Sequence, residues 1–152
     1  MRAIVINPWD QSITEIEHDG DYKKLYPLLS GPTLEGLPEA EVSCFDIVRL
    51  GDNGDHIMYV DDCGHCVDHQ AYFEFANNTI IAGRGVILRN DDVGDDRSAT
   101  LSIKKLHGSI RFLPLNTVYT PPPPTVQSFA TDDAFYEAMA KIRDSITPCL
   151  KP

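Results

Sequence analysis

The chain has 152 residues, 42% hydrophobic and 24% charged, a mixture that can bury one core and lies outside the disordered class. Thirteen Lys and Arg against 23 Asp and Glu give a formal net charge of -10. Such a surface favours solubility, disfavours direct binding to nucleic-acid phosphates and suits a basic partner, including a protein that itself handles nucleic acid.

From the N-terminus, Arg2–Asn7 is β-rich and stops at the turn cluster Asn7-Pro8-Trp9-Asp10. This apolar run is too short for a signal peptide, and no window reaches the roughly 18 apolar residues of a membrane span. Four cysteines without a secretion signal then point to a reducing, cytoplasmic setting. Ser12–Glu17 resumes with Ile13 and Ile16, which predicts a small hairpin. Asp19-Gly20-Asp21 offers caps for a helix whose face carries Tyr22, Leu25, Tyr26 and Leu29, with Pro27 set to kink or break it. Val42–Leu50 and His56–Val60 are β-type runs, and the Asn53-Gly54 dipeptide between them supplies the positive φ angles of a tight hairpin turn.

Thr79–Arg89 is expected as a third long strand, with Gly83 and Gly85 marking a bulge or a close backbone approach. Thr100–Leu113 has two readings. A helix capped by Thr100 and ended by Gly108 is preferred over a strand turning at His107-Gly108. Pro121–Pro124 reads as a stiff polyproline spacer. Beyond it an amphipathic helix over 131–147 presents Phe135, Met139, Ile142 and Ile146 on one face. That face needs burial, on its own domain, across a homodimer or on a partner. The expected class is α+β: an antiparallel or mixed sheet of about four or five strands with helices on one face. Residues 1–120 form the domain, 121–130 the Pro-rich linker and 131–147 the C-terminal helix.

Chemistry concentrates in three places. Cys63 and Cys66 form a Cys-x-x-Cys pair with His69 three residues on, soft and imidazole ligands at zinc-compatible spacing. Cys44 or His56 would complete four ligands if the hairpin folds them close; otherwise these are incidental thiols and solvated histidines. Asp91, Asp92, Asp95 and Asp96 surround Gly94 without the spacing or closing Glu of an EF-hand. Adjacent Asp residues in a turn are more often a solvated loop; of the functional readings, a partner-binding acidic patch comes before a metal loop. Gly83-Arg84-Gly85 is able to bring Arg84 and backbone amides to a phosphate, and Trp9 to stack on a ring; the competing readings are a structural strand kink and a half-buried core cover. There is no phosphate loop with a Lys, no nucleophile elbow and no His-Glu-x-x-His.

The order of these features resembles a family. The strand Arg2–Asn7, the helical stretch from Asp21, a strand running into Tyr59-Val60-Asp61-Asp62-Cys63-Gly64, and Ile80-Ile81-Ala82-Gly83-Arg84-Gly85-Val86-Ile87-Leu88 before an acidic loop are similar to uncharacterised domains encoded by phages and plasmids, over about residues 2–96. The resemblance implies an accessory protein of a mobile genetic element, a class often directed against host defence. Three functions follow in order: a non-enzymatic acidic protein that binds a basic host protein, a small-molecule or nucleotide sponge, and a zinc-stabilised module or metal-dependent enzyme.

Overall fold

Three segments of the chain are apolar at odd and even positions alike, and they become the centre of the fold. The structure, a computed structural model, describes residues 1–32, 42–50, 55–67, 69–76, 79–120 and Glu137. Among these residues β1 (Arg2–Asn7), β4 (His56–Asp61) and β7 (Gly85–Asn90) lie side by side and antiparallel, with Ile4 opposite Ile87 and Met58 opposite Ile87 on the other side. β2 (Ser12–Glu17) extends one edge and β3 (Phe45–Leu50) the other, giving the order β2-β1-β7-β4-β3. The two-residue β8 (Asp96–Arg97) pairs with the end of β7, beyond the stretch that β1 covers.

A strand that is apolar on both faces needs a cover on both. Ala3, Val5, Ile57, Tyr59, Val86 and Leu88 face one side, where Leu25 and Leu29 of α1 (Leu25–Leu29) pack on them. Ile4, Ile6, Met58, Val60 and Ile87 face the other. There they meet Phe73 and Ile81 of a second sheet, and Leu106 of α2 (Ile103–Ser109). That sheet has the order β6-β5-β9, built from β5 (Tyr72–Phe75), β6 (Thr79–Ala82) and β9 (Ile110–Phe112). The class is α+β and mostly antiparallel sheet, as expected. The single sheet of four or five strands with helices on one face is corrected to two sheets, with a helix on each face of the larger one.

The expected strand Thr79–Arg89 is divided. Gly83 takes φ +78°, a left-handed conformation that ends β6, and Arg84 leads into β7 in the other sheet. The glycine pair therefore marks a corner between sheets. The first hairpin forms as expected. So does the second, with β3 beginning at Phe45 and Val42 buried ahead of it.

Asp21 caps a 3-10 turn, Tyr22–Lys24, that runs into α1. Pro27 neither kinks nor ends the helix, because it is the third residue of α1, in a first turn whose N–H groups lack intrahelical acceptors. α2 begins after Ser102, two residues later than a Thr100 cap implies, and runs through Gly108 directly into β9. The Thr100 N–H instead donates to His56 Nε2 at 3.1 Å. Gly51–Gly54 of the hairpin turn, the polyproline spacer and the helix over 131–147 lie outside the described residues. Met1–Thr120 forms one compact unit. No helix among the described residues is long and apolar enough to cross a membrane.

Candidate functional site

The acidic turn joins β7 to β8, and its four carboxylates divide into two kinds. Asp91 Oδ1 accepts the N–H groups of Val93 at 3.1 Å and Asp95 at 2.9 Å. Its other oxygen pairs with Arg97 at 2.6 Å. The Asp95 amide, joined by the Val93 amide and Arg97, holds the Asp91 carboxyl below the usual carboxylate range. Asp96 accepts the Tyr59 hydroxyl, 2.9 and 3.1 Å from its two oxygens. Burial first, then this bond, pushes the Tyr59 phenol above its ordinary range. Asp91 and Asp96 are thus spent inside the fold. Asp92 and Asp95 are exposed, and Val93 between them is 81% exposed. Arg97 reaches Asp95 only at 3.4 Å.

The residues considered for a phosphate or ring ligand occupy one neighbourhood with other tasks. Arg84 lies over the Trp9 ring, 5.7 Å from its centroid, and donates from Nη1 to the Ser30 carbonyl at 2.8 Å. It ties the first hairpin to the end of α1. Trp9 packs so closely on Gly31 that a Cβ there would come within 3.0 Å of its ring. Gly83 faces the buried Gln70 side chain, and Gly85 lies in the core under Met58 and Phe73. Trp9 and Arg84 are brought together; Gly85 is removed from the surface.

The cysteine loop follows β4 as a 3-10 turn, Gly64–Cys66. Among the described residues, Cys63, Cys66 and His69 do not gather as one ligand set. The group that does gather is Cys44, Asp62 and Cys63, with donor atoms all within 4.8 Å of one another. Cys44 Sγ is 3.9 Å from Cys63 Sγ and 3.6 Å from Asp62 Oδ2. Hairpin register is the cause: Phe45 pairs with Asp61, so Cys44 falls opposite Asp62, whose N–H donates to the Cys44 carbonyl at 3.3 Å. Asp62 was the residue the motif hid, and continuing that register past the strand ends would have found it.

His56 sits at the far end of β4, bonded to Thr100. Burial, with Arg89 adding to it and Asp55 opposing, lowers its imidazole below the ordinary value, which suits an Nε2 that accepts a bond.

Cys66 and His69 instead line a cavity of about 380 Å³ with His65, Gln70, Tyr72 and Tyr119. His65 stacks on Tyr72 at 6.0 Å and tilts against Tyr119 at 5.2 Å between centroids, and its buried Nδ1 has no hydrogen-bond partner among the described residues. Sequence spacing gave no sign of this cavity, because Tyr119 comes from a distant segment. Comparison with family models, with curated proteins and with solved structures returns no match for the chain.

Proposed function

We propose that the chain is a non-enzymatic accessory protein of a mobile genetic element whose acidic turn docks on a basic surface of a cytoplasmic host protein, countering host defence. The observation that carries this reading is the division of labour in the turn. Asp91 fixes the backbone, while Asp92 and Asp95 are exposed around Val93, Asp95 sharing Arg97 with Asp91. A turn already ordered loses little conformational entropy on binding, so more of the contact energy becomes affinity. The net charge of -10 steers basic partners toward it and repels phosphates.

The test uses the full chain as bait in host lysate, beside an Asp92→Asn/Asp95→Asn variant. A basic protein is expected to be retained at low salt and released at high salt, since exposed charges are screened within about 10 Å at 0.1 M. The variant should retain about tenfold less, equivalent to roughly 1.4 kcal/mol. Retention of nothing, or retention indifferent to salt and to both substitutions, overturns the reading.

A second reading, a small-molecule sponge, is favoured by the cavity walled by His65, Tyr72 and Tyr119. Two phenols and an imidazole suit a flat ring such as a nucleobase. It replaces Trp9 and Arg84, already engaged with each other, as the ligand contacts. A nucleotide panel in a thermal-shift assay is expected to give a rise with one member, removed by Tyr119→Ala. A flat response across the panel eliminates it.

A further inference from the structure

We infer that Cys44, Asp62 and Cys63 form a binding site for a thiophilic divalent cation of the zinc class, which clips together the open end of the β3–β4 hairpin. Zinc held by thiolates at 2.3 Å and a carboxylate at 2.0–2.2 Å in tetrahedral geometry requires S···S edges of about 3.8 Å and S···O edges of about 3.5–3.6 Å. The observed separations are 3.9 Å for the two sulfurs and 3.6 Å for Cys44 Sγ to Asp62 Oδ2. Two edges of a coordination tetrahedron are therefore already in place, at a spacing nearly twice that of a disulfide bond.

The backbone holds them there. Ladder register sets Cys44 against Asp62, and the Cys63 N–H donates to Asp61 Oδ1 at 3.0 Å, which turns the chain so that Cys63 faces back toward Cys44. Asp62 and Cys63 are exposed and Cys44 is half-buried, so the fourth position opens to solvent and takes a water. The local charge also calls for a cation. Asp61 and Asp62 stand immediately before Cys63 and bring two carboxylates to the same corner. Binding releases both thiol protons to solvent and leaves two thiolates and one carboxylate on the ion, so affinity falls as pH falls.

Cobalt(II) is the probe, added to full-length reduced protein stripped with chelator. One equivalent should produce thiolate-to-cobalt charge transfer and the intense visible bands of a four-coordinate ion, and zinc should bleach them. Cys44→Ser and Cys63→Ser should each weaken binding by more than about 100-fold, beyond the loss from an outer-layer substitution. Cys66→Ser and His69→Ala should leave it unchanged. Neither Cys44 nor Cys63 belongs to the apolar core, and far-ultraviolet circular dichroism of each variant separates lost binding from lost fold. No cobalt spectrum, a spectrum that survives Cys44→Ser or Cys63→Ser in folded protein, or one that disappears with Cys66→Ser overturns the site. So does a Cys44–Cys63 disulfide that an added oxidant such as oxidised glutathione forms equally fast with and without zinc.

Discussion

Gly85→Val is expected to destabilise the protein by about 3 kcal/mol, the upper end for overpacking a well-filled core. A Cβ at this position would stand 2.7 Å from Met58 Sδ, 3.1 Å from Met58 Cγ and 3.3 Å from Phe73 Cζ. Met58 and Phe73 are fully buried, so neither side chain has free space to swing into. Gly85 does not need a glycine's backbone freedom; its neighbour Gly83, at φ +78°, does. The loss at Gly85 is therefore one of contact, and a smaller neighbour should relieve it. In a chemical-denaturation series, Gly85→Ala combined with Met58→Ala should lose less stability than the sum of the single substitutions. Strict additivity would show that the site collapses in some other way.

The contrast between these two glycines shows how far local sequence reaches. Adjacent segments were legible: a turn cluster between β-rich runs gives each hairpin, and Asp21 before an apolar helical face gives the capped turn and α1. What is non-local was not. The β1-β7-β4 order joins strands far apart in sequence, and a single positive φ at Gly83, invisible in the pattern of Thr79–Arg89, sends the two halves of that run into different sheets. The need for two covers was nevertheless present, since Ala3-Ile4-Val5-Ile6 and Ile57-Met58-Tyr59-Val60 are apolar without alternation.

The sites follow the same division. The acidic run was visible as composition, but its usable part was not. Only the bonds from Val93, Asp95 and Tyr59 show that Asp91 and Asp96 are occupied, and only the folded chain shows that Asp92 and Asp95 stay exposed. Likewise the Cys-x-x-Cys spacing suggested a partner for Cys63 three residues away. The hairpin supplies a closer one 19 positions back in Cys44, because antiparallel pairing brings together residues that no short motif contains.

Phe73→Ala should cost more than any surface change, about 3–5 kcal/mol, out of a total stability that for such domains is roughly 5–15 kcal/mol. Phe73 is fully buried in β5, the central strand of the smaller sheet, opposite Ile81 on one side and Phe112 on the other. It shares a core with Ile4, Met58 and Ile87 of the larger sheet and with Leu106 of α2. Truncation to alanine leaves a void between the sheets that β5 cannot close without breaking its ladders to β6 and β9. Urea denaturation is expected to show one cooperative transition at a lower midpoint with an unchanged slope, because one core spans both sheets. Two separated transitions would show instead that the smaller sheet unfolds on its own. The turn is ordered by bonds among Asp91, Val93, Asp95 and Arg97 and by the Tyr59–Asp96 bond on the face of the larger sheet away from Phe73, so the partner binding proposed above should survive in Phe73→Ala well below the midpoint. Loss of binding by that folded variant would tie the turn's order to the core rather than to its own hydrogen bonds.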